Sequence, residues 1–432
     1  MMQTLKRICA VLCVMMVVGV GCSDSSSDDT SENSGADTDM TAEADTGTGM
    51  VDTSTEVDSG EADTGTDSPD TMADAPDEEG PSTWPLDEDG PYRVGFRSWE
   101  VTYSSPADGS DRTVVLNLWY PTEATTGEPA IYLGVFAFTD EEVLTDAPPA
   151  PPVHEGGYPV LVHSHGHLGF GGVSADLMRH MASHGWVAAA PDHTDNTLSD
   201  GQEPKPTSIF IHRPTDISAV LDTLEGLPAE DPLAGQMQTD KALLTGHSFG
   251  VYTIWSAGGA ALDVEGLRSV CGPGTDTAPF SNWEASCTEQ ELEAFEAGLG
   301  DERLVGLVPM AGSYDELFFG DTGWQNVDLP ILYMSGSRDS PGRIRDDFEA
   351  FTDDAIWVNL EGGVHESFGL CGTLDPMGLG MCSSLEPQLG YTLVNTYVLA
   401  FARRHVLDDQ TMMVESILSG EMVPENITFN AR

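Results

Sequence analysis

The stretch from Gly246 to Gly250, GHSFG, places a serine between two glycines at the junction of two apolar segments. The run KALLTG before it has the pattern of a buried strand, and FGVYTIWSAGGAA after it has the pattern of a buried helix. A G-x-S-x-G turn between a strand and a helix is sharp, needs glycines for steric room, and leaves the serine hydroxyl exposed. The pattern therefore predicts that Ser248 is a nucleophile; the alternative is a tight turn without chemistry.

A serine hydroxyl needs a general base and an acid that orients the base, and only two histidines follow Ser248 in the chain. His365 lies in NLEGGVHESFG, just after the last predicted strand, whereas His405 lies late in a predicted helix. We therefore predict that His365 is the base. Asp339 follows the buried strand LPILYMSG and is the favoured acid, while Asp315, after the preceding strand, is the alternative acid.

The tetrahedral intermediate of such a reaction needs two backbone N–H donors for its oxyanion. One is expected at Phe249, directly after the nucleophile, and the other at His167, which follows Gly166 at the end of PVLVHSHG. His163, His165 and His167 alternate and could instead bind zinc. Because Gly166 is expected to end the strand and no carboxylate or cysteine lies nearby, we expect no metal site, with His163 and His165 packed beside the site.

The elements that must position these residues alternate between strand-like and helix-like patterns, which predicts an α/β domain with a mostly parallel central sheet flanked by helices. After two opening strands, a long proline-rich connection is expected to about Tyr158. Residues 262–300 break the rhythm and are predicted to be an insertion that could form part of a cap. LGYTLVNTYVLAFARRHVL is expected to be the closing helix. The predicted buried strands are PVLVHSHG, WVAAAPDH, KALLTG, RLVGLVPMAG, LPILYMSG and AIWVNLEGG.

Residues 1–22 have a signal-peptide pattern, in which a basic pair precedes an apolar stretch from Ile8 to Val20 that is short for a membrane span. Gly21 and Cys22 fit a lipoprotein cleavage site, at which the cysteine becomes lipidated, although Gly19 stands where a leucine is usual. We therefore predict export, either with a lipid anchor at Cys22 on a bacterial membrane or cell surface, or by ordinary secretion. Membrane contact is expected only through that anchor.

Residues 23–89 hold 22 acidic residues and neither Lys nor Arg. Such a segment cannot bury enough apolar surface to fold, so it is predicted to be a disordered, acidic tether. Residues 90–432 are predicted to be the catalytic domain and carry 50 acidic and 15 basic residues. Against −55 for the whole chain, these residues alone carry 15 − 50 = −35, which argues against a nucleic-acid partner and against charge-driven binding to anionic surfaces.

Four cysteines remain if the signal is removed and Cys22 is lipidated: Cys271, Cys287, Cys371 and Cys382. An even number in an oxidising compartment indicates two disulfides. Three pairings are possible, and the sequence-local one, Cys271–Cys287 with Cys371–Cys382, is preferred. A disulfide so soon after His365 could brace the loop that carries the base.

Five stretches in order, VHSHGHLG, ASHGWVAAAPDH, HRPTDISAVLDTL, GHSFG and GGVHESF, resemble one group of α/β-hydrolases. The group spans platelet-activating-factor acetylhydrolases, predicted dienelactone hydrolases and bacterial polyester hydrolases, and the resemblance covers roughly residues 92–408. It implies a carboxylic ester hydrolase that needs no cofactor and works through an acyl-enzyme. It also implies the roles given above for Ser248, His365, Asp339, Phe249 and His167. Dienelactone hydrolases proper use a cysteine nucleophile, so the serine here does not imply that substrate.

The expected function is therefore that of an exported serine hydrolase acting on a small-molecule or polymeric carboxylic ester. Two alternatives remain open. One is a non-catalytic surface binding module on the same fold, against which the intact order of Ser, Asp and His argues. The other is a related hydrolase that cleaves amides or thioesters. A fold by itself does not decide among these functions.

Overall fold

The computed structural model describes residues 80–133, 137–271, 283–284, 286–339, 341–350, 354–369, 371, 382 and 384–432. All of them belong to one unit, Asp74–Arg432. The predicted signal peptide, Cys22 and the predicted tether up to residue 79 lie outside the described residues. In the part of the chain that is described, no helix is both long and apolar enough to cross a bilayer.

Short apolar runs form the centre of a large sheet, as the sequence predicted, because strands covered on both faces need no polar side. In one of them, Tyr158–Ser164, every residue is buried. The strands are β1 Arg93–Ser104, β2 Asp111–Thr122, β3 Pro129–Leu133, β4 Ala137–Thr145, β5 Tyr158–Ser164, β6 Val187–Asp192, β7 Lys205–Pro206, β8 Met237–His247, β9 Trp283–Glu284, β10 Leu304–Met310, β11 Ile331–Gly336, β12 Ala355–Leu360 and β13 Ile427–Ala431.

Eleven of these strands form one sheet in the order β13-β12-β11-β10-β8-β5-β6-β2-β1-β4-β3. The six central strands run parallel to one another; in sheet order they are β12, β11, β10, β8, β5 and β6. Toward the two edges, β2, β3 and β13 add antiparallel pairs. The predicted mostly parallel sheet is thus confirmed. Because the central strands are parallel, their carboxyl ends meet at one edge, where loops can bring distant side chains together.

Helices cover both faces of the sheet, and the alternation of side chains along each strand divides the core in two. The helices are α1 Ala175–Ser183, α2 Ser208–Glu225, α3 Gly250–Ala257, α4 Val264–Val270, α5 Glu289–Ala297, α6 Glu316–Phe319, α7 Pro341–Ala350, α8 Pro387–Val406 and α9 Met412–Leu418. In β5, Val160 and Val162 belong to the cluster that packs under α2 and α3, while Leu161 belongs to the cluster under α1 and α8.

Two connections differ from the sequence prediction. The proline-rich stretch before Tyr158 contains a hairpin, β3 and β4, that extends the sheet beyond β1. Five of the nine residues of β4 are exposed and three are acidic, so it lacks the buried alternation by which a strand is recognised. The helix expected to close the fold, α8, is followed by α9 and then by β13, which pairs antiparallel with β12. The domain therefore continues past the region of family resemblance.

The predicted insertion at 262–300 contains α4, the two-residue strand β9 and α5. Residues 272–282 and 285 of this insertion lie outside the described residues. A disulfide joins Cys271 to Cys287, as the sequence favoured. Strand β9 pairs with β7, so the insertion is attached to the segment that precedes α2.

Residues 80–89, which composition assigned to the tether, pack on the domain. Leu86 is 2% exposed, and its carbonyl is hydrogen-bonded to His180 Nε2 on α1. Arg403 on α8 donates hydrogen bonds to the carbonyls of Ser82 and Trp84. The folded part of the chain therefore begins before residue 90, the boundary that the charge pattern predicted.

Candidate active site

Ser248 occupies a strained turn between β8, which ends at His247, and α3, which begins at Gly250. Its φ is +55°, a left-handed value that costs a non-glycine residue about 1–3 kcal/mol. A Cβ on Gly250 would lie 2.1 Å from the Ser164 carbonyl oxygen, and one on Gly246 would lie 2.8 Å from the Gly250 oxygen. Only glycine fits at both positions, and the turn leaves Ser248 partly exposed.

The structure brings Ser248, His365 and Asp339 into one hydrogen-bonded chain. The Ser248 Oγ lies 2.9 Å from His365 Nε2, and His365 Nδ1 lies 3.0 Å from Asp339 Oδ2. Asp339 follows β11, and His365 begins a 3₁₀ turn after β12. The three side chains meet because β8, β11 and β12 end at the same edge of the sheet. Because the Asp339 carboxylate accepts a hydrogen bond from the Nδ1–H of His365, the neutral ring carries no proton on Nε2, which can then accept the serine hydroxyl.

Electrostatics favour the protonated form of His365. Burial disfavours the imidazolium, but the hydrogen bond to Asp339 and the charge of that carboxylate outweigh burial and raise the pKa of His365 above its ordinary value. The adjacent His247 has the opposite environment, because burial and the neighbouring His365 hold its pKa well below the usual range. A neutral His247 donates from Nε2 to the His365 carbonyl oxygen at 2.7 Å, which fixes the backbone of the base.

The two other candidates for base and acid lie elsewhere. Asp315 is the N-cap of α6, where its carboxylate accepts a hydrogen bond from the Leu317 N–H. His405 lies in the last turn of α8, with its ring centroid 4.4 Å from that of Phe401. The carboxylate that contacts His365 is that of Asp339.

The two expected oxyanion donors belong to two different segments of the chain. Phe249 is the N-cap of α3, and His167 lies in the loop after β5. The loop is close to the serine, since a Cβ on Gly166 would lie 3.2 Å from the Ser248 Cβ. Among the described residues, neither the Phe249 nor the His167 N–H donates a hydrogen bond to another backbone carbonyl. The roles of the two amides as oxyanion donors stay predictions.

The three alternating histidines have separate protein partners. His163 is hydrogen-bonded to Thr245 and Ser174. His165 donates to the Gly166 carbonyl and accepts from the His193 N–H, and His167 contacts Asn196 and Glu203. Burial lowers the pKa of His163 and of His167 to about 3. In the described part of the chain, no three His, Cys, Asp or Glu side chains are grouped to hold a metal ion.

Sequence reasoning missed a buried charged pair on α2, Arg213 and Asp216, both 0% exposed. Asp216 binds Arg112 and His193, and Arg213 contacts the loop that carries His167. The sequence pattern that could have indicated this pair is the three-residue spacing of two opposite charges within an apolar helix, because that spacing places both side chains on one face. That spacing also suits an exposed ion pair, so it does not by itself indicate burial.

The Cys371–Cys382 disulfide, which the sequence favoured, lies beside the turn that carries His365. Both cysteines are 1% exposed and pack with Tyr391 and with Val364, the residue before the base. The Val364 N–H donates to Ser367 Oγ, which lies 4.0 Å from Cys371 Sγ. The disulfide therefore packs against the turn that carries His365.

We expect the double replacement Cys371→Ser and Cys382→Ser to lower kcat by about tenfold to a hundredfold, because a small displacement of the base weakens proton transfer. The loss should appear at temperatures where circular dichroism still shows a folded protein. The matched control is the pair Cys271→Ser and Cys287→Ser, which removes a disulfide from the insertion and should change kcat less. Loss of activity and of folding at the same temperature in the first variant would contradict a bracing role.

Comparisons with known proteins gave two similarities. Residues 145–265 match the family model described as Chlorophyllase, a span that includes Ser248 and His167 and ends before Asp339 and His365. A solved structure, the ferulic acid esterase from Streptomyces cinnamoneus, is similar with a TM-score of 0.55 and 18% identity over 78% of this chain and 96% of that chain. No curated protein matches the chain.

The chain has the α/β-hydrolase fold, so the predicted fold class is confirmed. The two similarities point to a carboxylic ester hydrolase. Its membership of the platelet-activating-factor acetylhydrolase, dienelactone hydrolase and polyester hydrolase group stays a prediction.

Proposed function

We propose that the chain is an exported serine esterase that cleaves carboxylic esters through an acyl-enzyme. Ser248 is the nucleophile, His365 the general base and acid, and Asp339 the carboxylate that orients His365. The amides of Phe249 and His167 form the oxyanion hole. The observation that carries the proposal is the hydrogen-bonded chain from Asp339 through His365 to a partly exposed Ser248 on a strained turn.

The reaction follows from the geometry in two halves. Ser248 Oγ attacks the ester carbonyl carbon while His365 Nε2 takes the hydroxyl proton, and the two amides hold the oxyanion. The intermediate then collapses, the C–O bond to the alcohol breaks, and the alcohol leaves with the proton from His365. Water next attacks the acyl-enzyme with His365 as base, which frees the acid and restores Ser248. General-base assistance and the oxyanion donors should each contribute a factor of about a hundred or more.

The substrate class is a carboxylic ester, small or polymeric, and the reaction needs no cofactor. The protein matched in the solved-structure comparison is named a ferulic acid esterase, so a ferulic acid ester is a suitable test substrate beside simple chromogenic esters. The excess of acidic side chains favours neutral over anionic esters, because like charges repel.

We further propose that residues 1–22 are a signal, that Cys22 is lipidated, and that the acidic segment from residue 23 is a tether for the catalytic domain. Two disulfides support an export route, because disulfides persist in oxidising compartments. The packing of residues 80–89 on the domain shortens the proposed tether at its carboxyl end.

The proposal is tested by treating the full purified chain with a fluorophosphonate and mapping the labelled peptide. An activated serine oxygen displaces fluoride from phosphorus and retains the phosphonyl group. We expect the label on Ser248 and none on Ser164, which also contacts a histidine but is 0% exposed. A folded protein that takes no label would overturn the esterase assignment and leave the hypothesis of a non-catalytic binding module. A label on another residue would overturn the assignment of Ser248 as the nucleophile.

A further inference from the structure

Arg213 is a buried cation that contacts both segments of the candidate oxyanion hole. It lies on α2 and is 0% exposed, and its guanidinium has a polar partner for each of its nitrogens. Nε donates to Thr253 Oγ1 at 3.0 Å, Nη1 to Asn196 Oδ1 at 2.6 Å, and Nη2 both to Ser164 Oγ at 2.9 Å and to the His165 carbonyl oxygen. The planar fork of arginine makes such a set of bonds and fixes the directions of its partners.

These bonds reach the loop after β5 at several points. The His165 carbonyl belongs to the peptide unit that precedes Gly166, so the bond from Arg213 sets the backbone leading to the His167 amide. Asn196, held by Arg213, donates from Nδ2 to His167 Nδ1 at 2.9 Å, and its own carbonyl accepts from the Leu168 N–H. Leu168 has a φ of +59°, so this loop needs support from its surroundings.

Arg213 also contacts the other side of the oxyanion hole. Its guanidinium carbon lies 4.6 Å from the centre of the Phe249 ring, a cation–π distance. Its bond to Thr253 reaches α3, the helix for which Phe249 is the N-cap. One buried side chain thus touches the residue that offers the first amide and the loop that offers the second.

A second Ser-His-Asp array holds Arg213 in place. Asp216 Oδ2 lies 2.8 Å from His193 Nδ1, and His193 Nε2 lies 3.0 Å from Ser164 Oγ. Burial lowers the pKa of His193 to about 3, so its neutral ring can accept the Ser164 hydroxyl while Ser164 Oγ accepts from Arg213. All three members are 0% exposed, which closes this array to substrate and gives it a supporting role.

We infer that Arg213 is a positioning residue that aligns both oxyanion amides, those of Phe249 and His167, and places a positive charge behind the developing oxyanion. The inference rests on the proposed function. Its contribution is realised in the transition state, where negative charge develops on the former carbonyl oxygen. Loss of Arg213 should therefore lower kcat and leave KM nearly unchanged.

The test compares Arg213→Gln and Arg213→Lys with Arg403→Gln in the full chain. Arg403 is the matched control because it is also buried, at 2% exposure, and hydrogen-bonded to Asp409 and to residues 82 and 84, none of which contacts the site. Hydrolysis of p-nitrophenyl butyrate gives kcat and KM. The end-point of fluorophosphonate labelling gives the fraction of sites able to react, so kcat is expressed per labelled site.

We expect Arg213→Gln to lower kcat per labelled site about a hundredfold, with KM within about threefold and a normal labelling end-point reached more slowly. Arg213→Lys, which keeps the charge but loses the fork, should lose about tenfold. Arg403→Gln should keep kcat per labelled site even if fewer molecules fold. If Arg213→Gln does not fold, Arg213→Lys decides by the same readouts.

Two results would overturn the inference: a kcat per labelled site within about threefold of the unaltered protein, or a loss confined to the labelling end-point, which is the signature of a purely structural residue. Absence of labelling in the unaltered protein would instead refute the proposed esterase, so the two failures are distinguishable.

Discussion

Replacing His365 with alanine is expected to lower kcat for ester hydrolysis on the order of a millionfold, because no other described side chain accepts the Ser248 hydroxyl proton. The remaining rate would come from substrate binding and the two amides. The variant should fold, since the His365 side chain is 33% exposed and the bond from His247 reaches its backbone carbonyl, which alanine retains. Steady-state kinetics, the rate of fluorophosphonate labelling and a thermal melt measure these effects.

The control is His405→Ala, which removes the other histidine that follows the nucleophile in the chain. His405 packs on Phe401 in α8, so its loss should affect stability slightly and kcat by less than about twofold. His365 would be ruled out as the base by an equal loss of activity in both variants. It would also be ruled out if His365→Ala kept activity within about tenfold of the unaltered protein.

Replacing Asp339 with asparagine is expected to lower kcat by about 10⁴-fold, since an amide at His365 Nδ1 can favour the tautomer that carries its proton on Nε2. The pH profile gives a second, independent readout. Activity requires neutral His365, so kcat/KM is full above the pKa of His365 and is lost as the pH falls through it. Asp339 raises that pKa above its ordinary value of 6.5. In the unaltered protein the loss of activity on acidification should therefore have its midpoint above pH 6.5. In Asp339→Asn the remaining activity should be lost at a lower pH.

The matched control is Asp315→Asn, which changes the other candidate acid in the same way. Asparagine can still cap α6, so kcat and the pH profile should both stay close to those of the unaltered protein. The assignment of Asp339 would be contradicted if Asp315→Asn lost more kcat than Asp339→Asn. It would also be contradicted if Asp339→Asn lost its activity at the same acidic pH as the unaltered protein. Kinetics on one chromogenic ester across the pH range compares both variants.

The features that the sequence by itself determined are those whose cause is local. The turn at Ser248 follows from glycines two residues on either side of the serine, between a strand pattern and a helix pattern, and steric fit alone requires them. His365 could be predicted because it follows the last predicted strand of a parallel sheet, where loops from other strands also end. The two disulfides join cysteines 16 and 11 residues apart, so chain proximity favoured this pairing.

The sequence favoured Asp339 over Asp315, but which of the two carboxylates contacts His365 depended on tertiary structure. Both follow central strands that end at the same edge of the sheet, so chain position alone leaves both as candidates. Only the arrangement of β11 beside β12 brings Asp339 to His365, while Asp315 caps a helix. The strand β13 was missed for a related reason, because it is an edge strand defined by its pairing with β12, which is distant in sequence.

Tertiary structure alone also decided which of two similar serine arrays is accessible. Ser164 and Ser248 each contact a histidine that contacts an aspartate, yet the first array is fully buried and the second is partly exposed. The partners of Ser164 are His193, which directly follows β6, and Arg213 on α2, which also contacts the loop after β5. No local pattern encodes that network, because its hydrogen bonds join residues 17 to 49 positions apart and exist only once the elements have packed.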